Sequence, residues 1–190
     1  MARRSGGVVI DPAVARRIKL LGLDVDGVLT DNAIYVGSLG GERVELKRFD
    51  IQDGLGLGLL RGSSIQVAWI SGRESEATAL RAKELRIPIV IQIRGGRKLP
   101  HMERLLEEHR LDWTEVAFVG DDLADIPLLR RVGLAIAVAN AIPEVKALAH
   151  WVTGAAGGQG AVREVVSELL KARGEWEGSI ARYLDERERV

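Results

Sequence analysis

Two clusters of aspartates have the residue type and spacing to support chemistry. Asp24 and Asp26 close one apolar segment, and Asp121, Asp122 and Asp125 follow another. Side chains two residues apart on a strand share a face, so Asp24 and Asp26 would repel each other unless a cation or a proton lies with them. Hard oxygen ligands, with few histidines and no cysteine, favour Mg²⁺ over zinc. Each cluster taken singly could also be a turn rich in helix-capping aspartates.

Two shorter motifs could bind an anion. Ser71-Gly72-Arg73 ends an apolar segment and precedes a predicted helix. A hydroxyl and backbone N–H groups at a helix N-terminus form an anion site. Lys98 opens a second predicted helix behind Gly95-Gly96, where its ammonium could neutralise a phosphate or a carboxylate. Both motifs are common in proteins, so they indicate an anion site only if the fold brings them to the aspartates.

The elements that must position these residues are short apolar segments alternating with amphipathic ones. The predicted strands are Ile18–Asp24, Ile65–Ile70, Ile87–Ile93, Val116–Gly120 and Leu134–Val138, and the predicted helices are Glu74–Arg86, Lys98–Arg110, Leu123–Arg131 and Pro143–Ala149. Nearly continuous apolar strands, each followed by a helix, predict a doubly wound α/β fold with a parallel sheet. Both aspartate clusters should then open onto the same carboxyl edge of that sheet.

One insertion breaks the alternation. The β-prone segments 33–36 and 43–49 flank Gly37-Ser38-Leu39-Gly40-Gly41, which predicts a β-hairpin over about residues 33–49. An insertion at this place lies beside the ligand crevice of such a sheet. We divide the chain into an N-terminal extension (1–17), a main α/β domain (18–172) that includes the hairpin, and a charged tail or helix (173–190) that could cover a neighbouring site.

Composition narrows the class of function. The 190 residues suit one domain, and the absence of cysteine excludes disulfides, thiolate zinc sites and a cysteine nucleophile. Lys+Arg and Asp+Glu number 27 each, so the chain lacks the positive field that nucleic-acid binding needs. Its apolar segments fall far short of the ~20 residues that span a bilayer, and we see no targeting signal. We expect a cytoplasmic protein with no nucleic-acid or membrane partner.

Taken in order, these motifs resemble the four motifs of the haloacid dehalogenase superfamily. The matching residues are Asp24-Val25-Asp26-Gly27-Val28-Leu29-Thr30, then Ser71, Lys98 and Gly120-Asp121-Asp122-Leu123-Ala124-Asp125. Asp53-Gly54, the segment 70–75 and the segment 157–164 extend the resemblance to the capless 3-deoxy-D-manno-octulosonate 8-phosphate phosphatase family. It covers roughly residues 18–172. The resemblance implies a homotetramer in which neighbouring hairpins help to close each active site.

The resemblance also implies a role for each site residue. Asp24 would be the nucleophile, and Asp26 would be the general acid and then the base. Mg²⁺ would bind to Asp24, the Asp26 backbone carbonyl and Asp121. Phosphate would bind to Ser71, Lys98 and the backbone amides of Gly27 and Gly72. Supporting roles would fall to Asp122 and Asp125, and substrate contacts to Arg73 and Arg163.

The expected activity is Mg²⁺-dependent hydrolysis of a small anionic sugar phosphate, 3-deoxy-D-manno-octulosonate 8-phosphate. One local departure concerns the lysine motif, since Arg94 and Arg97 stand where the family usually has other residues, and their charge could alter the preferred anion. The alternatives are a phosphatase for a nine-carbon 2-keto sugar acid 9-phosphate and a non-catalytic oligomerisation relative. A receiver-type signalling domain is disfavoured by the Asp-x-Asp motif and the hairpin.

Overall fold

A computed structural model describes residues 10–189 and shows a six-stranded parallel sheet in the order β5-β4-β1-β6-β7-β8. The strands are β1 Leu20–Leu23, β2 Tyr35–Leu39, β3 Glu42–Leu46, β4 Gln66–Ser71, β5 Ile89–Gln92, β6 Val116–Gly120, β7 Leu134–Ala137 and β8 Trp151–Val152. The helices are α1 Pro12–Arg17, α2 Ile51–Leu59, α3 Glu76–Glu84, α4 Lys98–His109, α5 Ile126–Leu129, α6 Pro143–Leu148, α7 Ala161–Arg173 and α8 Trp176–Glu188.

The predicted fold class is confirmed. All residues of β1, β6 and β7 are buried, as expected for parallel strands covered on both faces. Helices α1, α2, α7 and α8 pack in one group, and α4, α5 and α6 pack in another. The five predicted strands correspond to β1, β4, β5, β6 and β7, whereas sequence reasoning missed β8, which is only two residues long.

The segment Leu123–Arg131 is not the single helix that its composition predicts. It begins with a 3₁₀ turn at Leu123–Asp125 and continues as the four-residue α5. The Asp125 carboxylate turns back to accept hydrogen bonds from the amides of Asp121 and Asp122, at 3.0 and 3.4 Å. Pro127 lies in the first turn of α5, a position that suits proline. The segment therefore restarts as a second short helix.

The inserted hairpin consists of β2 and β3, paired antiparallel as a sheet of their own. The sequence predicts strands that end on either side of the glycine-rich segment 37–41. That prediction was wrong in extent, because the strands continue into this segment and only Gly40 and Gly41 form the turn. Both have positive φ, +61° and +87°, as a tight two-residue hairpin turn requires. At the other end, Phe49 pairs with Thr30 and stacks on Trp69, so the base of the hairpin is attached to the core.

Both ends of the described chain pack on the domain. Arg173 of α7 donates hydrogen bonds to the carbonyls of Ala15 and Ile18, at 2.9 and 3.1 Å, and thereby joins α1 to α7. The charged C-terminal segment forms α8, which packs on α2 and α7 of its own chain. Residues 1–9 of the predicted extension and Val190 lie outside the described residues. Within residues 10–189, every helix is too short or too polar to cross a bilayer.

Candidate active site

The carboxyl ends of β1 and β6 bring three aspartates together. These strands are neighbours, with Leu23 opposite Val119, so the residues that follow them meet at one edge. One carboxylate oxygen each from Asp24, Asp121 and Asp125 lies within 4.8 Å of the others, and all three residues are buried. Residues about a hundred positions apart in sequence thus form one acidic cluster.

The electrostatics of the cluster favour a bound cation. Burial and the nearby Asp125 carboxylate raise the pKa of Asp24 to about 7. Burial and the Asp24 carboxylate raise the pKa of Asp121 to about 8. Among the described residues, Asp121 Oδ1 is buried without a hydrogen-bond partner. A hard divalent cation such as Mg²⁺ fits this set, since it would supply the missing partner and reduce the repulsion.

Lys98 is the cationic side chain within this cluster. Its ammonium contacts Asp24 Oδ1 and lies 2.7 Å from Asp125 Oδ1, and only 2% of its side chain is exposed. Burial alone would lower the pKa of Lys98, but the carboxylates of Asp24 and Asp125 outweigh it and raise that pKa. One ammonium cannot balance the charge of three carboxylates if all of them ionise, so full ionisation of the cluster again needs a divalent ion.

Glycines allow the loops around the cluster to approach one another. Gly27 has φ +97°, and a Cβ added to it would lie 2.0 Å from Asp121 Oδ2. A Cβ on Gly72 would lie 3.3 Å from the Gly96 Cα and 3.8 Å from the Lys98 Cε. The structure therefore brings the Gly72 turn and the Gly27 turn to the same edge of the sheet as Lys98 and Asp121.

The predicted phosphate ligand Ser71 and the predicted supporting residue Asp122 both form hydrogen bonds within their own turns. Ser71 is buried, and its hydroxyl donates to the Arg73 carbonyl at 2.8 Å and accepts from the Arg73 amide at 3.2 Å. Asp122 is exposed and caps the following turn by accepting from the Leu123 amide at 2.7 Å. Ser71 thus shapes its own turn, and its contact with phosphate stays a prediction.

Asp26 lies outside the three-carboxylate cluster and is paired instead with the hairpin. Its Oδ1 is 2.7 Å from the ammonium of Lys47, a lysine whose side chain has no solvent exposure. Sequence reasoning missed Lys47. The available signal was its position two residues after Glu45, which places both side chains on one face of the second hairpin strand.

The two candidate substrate arginines have partners within the chain. Arg73 Nη2 lies 3.0 Å from Glu45 Oε2, which links the turn after β4 to the hairpin. Burial alone would raise the pKa of Glu45, but hydrogen bonds from Ser75 and Arg73 outweigh it and lower that pKa. The Arg163 guanidinium lies 5.6 Å from the Trp176 ring centroid on α8. Contact of either arginine with substrate stays a prediction.

The glycine-rich loop before α7 packs against the turn that contains Gly27. Asn140 connects the two: its side chain donates to the Gly27 carbonyl at 3.1 Å and accepts from the Gly157 amide at 2.6 Å. A Cβ on Gly157 would lie 1.8 Å from the Gly27 carbonyl oxygen. Sequence reasoning also missed Asn140, which no local motif distinguishes. Its role follows only from the packing of two distant loops.

Comparison with known proteins gives consistent matches. The family model of haloacid dehalogenase-like hydrolases matches residues 75–165. The chain is 45% identical over 162 residues to the 3-deoxy-D-manno-octulosonate 8-phosphate phosphatase of Escherichia coli K12, covering 85% of this chain and 84% of that protein. It is 41% identical over 175 residues to the Yersinia pestis phosphatase of the same name, covering 91% of each.

Two solved structures show the same architecture. The Moraxella catarrhalis 3-deoxy-D-manno-octulosonate 8-phosphate phosphatase, solved with a magnesium ion, a phosphate ion and KDO, aligns with a TM-score of 0.84 and 39% identity, covering 90% of this chain and 97% of that one. The cobalt-bound Haemophilus influenzae phosphatase aligns with a TM-score of 0.78 and 33% identity, covering 86% and 93%.

Proposed function

Because this chain belongs to the 3-deoxy-D-manno-octulosonate 8-phosphate phosphatase family, within the haloacid dehalogenase-like hydrolases, we propose that it hydrolyses 3-deoxy-D-manno-octulosonate 8-phosphate with Mg²⁺ as cofactor. The observation that carries the proposal is the buried cluster of Asp24, Asp121 and Asp125 around Lys98. The cluster provides a carboxylate nucleophile beside cationic groups, as phosphoryl transfer requires.

The reaction proceeds in two displacements. A carboxylate oxygen of Asp24 forms a bond to phosphorus while the bond from phosphorus to the sugar oxygen breaks. The sugar oxygen keeps the electron pair and takes a proton from Asp26. In the second displacement, water gives a proton to Asp26 and bonds to phosphorus, while the bond from phosphorus to Asp24 breaks. Splitting the reaction lowers each barrier of a hydrolysis whose uncatalysed rate is among the slowest known.

Charge on the phosphoryl group is balanced by groups that surround Asp24. The Lys98 ammonium, already in contact with Asp24, faces the phosphoryl oxygens once phosphate is bound. Asp24, Asp121 and the Asp26 carbonyl would hold Mg²⁺, which would supply further charge neutralisation when bound. The Ser71 hydroxyl and the amides of Gly27 and Gly72 donate the remaining hydrogen bonds to phosphate. Asp125 keeps Lys98 and the Asp121 loop in place.

The hairpin supports the proposal of a homotetramer with active sites at subunit interfaces. Four of its large apolar side chains are more than half exposed: Tyr35 59%, Val36 60%, Leu39 76% and Leu46 61%. An apolar surface of this kind, raised on an insertion beside the crevice, favours burial against another copy. Arg73 at the crevice provides a cation for the sugar carboxylate. Arg94, in contrast, is largely exposed and pairs with Glu74 at 2.7 Å.

The test is phosphate release from a panel of sugar phosphates with and without Mg²⁺. We expect the highest kcat/KM with the eight-carbon 8-phosphate, and no release after metal removal. Asp24→Asn should abolish release, whereas Asp185→Asn, a matched change on the exposed side of α8, should not. Equal release by Asp24→Asn would contradict the assigned nucleophile. A higher kcat/KM with a nine-carbon 9-phosphate would contradict the assigned substrate.

A further inference from the structure

Lys47 has a fully buried side chain whose ammonium faces the predicted proton donor. It lies 2.7 Å from Asp26 Oδ1, 3.1 Å from Thr78 Oγ1 and 4.0 Å from Glu45 Oε1. Its side chain has no solvent exposure, and Thr78, in α3, is also fully buried. Neither the motif resemblance nor the two-displacement reaction uses this lysine. An ammonium buried in this way is stable only because oxygen partners surround it.

The hairpin positions Lys47 through a second set of contacts. Glu45 and Lys47 lie on one face, while the intervening Leu46 is exposed on the other. The Glu45 carboxylate accepts hydrogen bonds from Ser75 Oγ at 2.8 Å and from Arg73 Nη2 at 3.0 Å. These bonds attach the end of β3 to the turn before α3. The lysine is therefore directed at Asp26 from a strand end that Glu45 attaches to the turn before α3.

The position of this ammonium has a consequence for proton transfer. When Asp26 donates its proton to the departing sugar oxygen, negative charge develops on the Asp26 carboxylate. An ammonium 2.7 Å from Oδ1 attracts that charge and favours the carboxylate orientation in which Oδ1 faces the hairpin. The oxygen Oδ2 is then the one available to exchange the proton. Lys98 cannot replace Lys47 in this task, because its contacts are with Asp24 and Asp125.

We propose that Lys47 is a positioning residue that orients Asp26, the general acid, toward the leaving sugar oxygen. This inference rests on the proposed phosphatase function. It predicts that the contribution of Lys47 to kcat/KM depends on the leaving group of the substrate. An alkoxide needs a proton as it departs, whereas p-nitrophenolate is a stable anion and departs without one.

The experiment compares kcat/KM for two substrates, because this ratio reports the first displacement alone. For Lys47→Met we expect about a 10²-fold loss with the sugar phosphate, and a value within about 3-fold of wild type with p-nitrophenyl phosphate. Lys47→Arg, which keeps the charge, should recover part of the loss. The matched control is Lys83→Met, which removes an exposed ammonium from α3 and should change neither ratio.

A second variant covers the case in which Lys47→Met does not fold. Thr78→Val keeps the volume and the lysine but removes the oxygen that helps to direct the ammonium. It should give a smaller loss of kcat/KM that is again confined to the sugar phosphate. The inference would be overturned if a folded variant lost kcat/KM equally with both substrates, or lost it with neither. An inactive wild type would instead remove the proposed function, and the inference with it.

Discussion

At the scale of single residues, the site is an arrangement of buried charges that is unfavourable without a cation. Asp24, Asp121 and Asp125 are close enough to repel one another, and Lys98 offsets only part of their charge. Burial raises the pKa values of Asp24 and Asp121 because it penalises their ionised forms. We therefore expect the same residues that weaken the metal-free protein to provide its affinity for a metal ion.

Asp121→Asn should separate these two effects. In the absence of metal, the variant should melt at a higher temperature than wild type, because one buried carboxylate has been removed. Mg²⁺ at about 100 times its Kd should stabilise wild type by about 2.7 kcal/mol, and this gain should disappear in the variant. Thermal denaturation with EDTA and with Mg²⁺ measures both. An unchanged Mg²⁺ response, with Asp185→Asn as the control, would argue against Asp121 as a ligand.

Asp53 is another buried carboxylate, placed outside the metal cluster. Its Oδ1 accepts a hydrogen bond from the Arg163 amide at 2.7 Å and so caps α7 from α2. Burial raises the pKa of Asp53 from 3.8 to about 6, and the Asp50 carboxylate adds to the increase. Between these values the folded protein holds a proton that the unfolded chain releases. Stability contributed by the neutral form is therefore lost as pH rises through that window.

Asp53→Asn should remove this pH dependence while keeping an oxygen to accept from the Arg163 amide. The free energy of unfolding of the variant, relative to wild type, should increase by about 1 kcal/mol between pH 5 and pH 7.5. Urea denaturation at the two pH values measures the difference. A constant difference between the two proteins would show that Asp53 is already ionised at pH 5.

At the scale of elements, the glycines of α2 show which face of the helix packs closely. A Cβ on Gly56 would lie 3.1 Å from the Arg163 Cα, because α2 crosses α7 at that point. A Cβ on Gly58 would meet nothing within 4 Å among residues 10–189. Glycine is therefore required at one position for close helix packing, while at the other it only lowers helix propensity.

The two positions should respond to alanine with opposite signs. Gly58→Ala should stabilise the protein by about 1 kcal/mol through helix propensity. Gly56→Ala should destabilise it by about 1 kcal/mol or more, because α2 and α7 must move apart. Chemical denaturation of both variants measures the effect. The same sign for both would indicate that the α2–α7 contact is looser than the structure shows.

The hairpin combines polar contacts at its base with an exposed apolar surface. Its base holds Lys47 against Asp26 and Arg48 against the Gly158 carbonyl, which lies 2.9 Å from the guanidinium. The exposed apolar side chains extend from Tyr35 and Leu46 at the base to Leu39 beside the turn. A hairpin fixed at its base can present this surface to another copy and still keep its polar residues at the active site.

At the scale of the whole molecule, the exposed surface of the hairpin predicts assembly. Wild type should have about four times the chain mass of 20.7 kDa, and Leu39→Asp should reduce that mass by placing a charge in the interface. Light scattering after size-exclusion chromatography measures both proteins. Leu80→Asp changes an equally apolar, exposed residue on α3 and serves as the control. An unchanged mass for Leu39→Asp would contradict assembly through the hairpin.

Much of the architecture could be predicted from the sequence, because it depends on local patterns. Apolar runs followed by amphipathic segments indicated a parallel sheet, and the ends of two runs marked Asp24 and Asp121 as neighbours at one edge. Predictions of extent were less accurate. The helix expected over Leu123–Arg131 is divided where Asp125 turns its carboxylate back to the Asp121 and Asp122 amides, and β8 is too short to show a periodicity.

The sequence by itself determined which residue types could perform the chemistry, since aspartates at strand ends, a lysine and glycine turns are visible as local motifs. Only the tertiary structure decided how they are supported. Lys47 and Asn140 belong to no motif, and they meet Asp26 and Gly27 because the hairpin and the loop before α7 fold back on the first strand. Contacts between distant segments depend on how whole elements pack, and no local pattern encodes that packing.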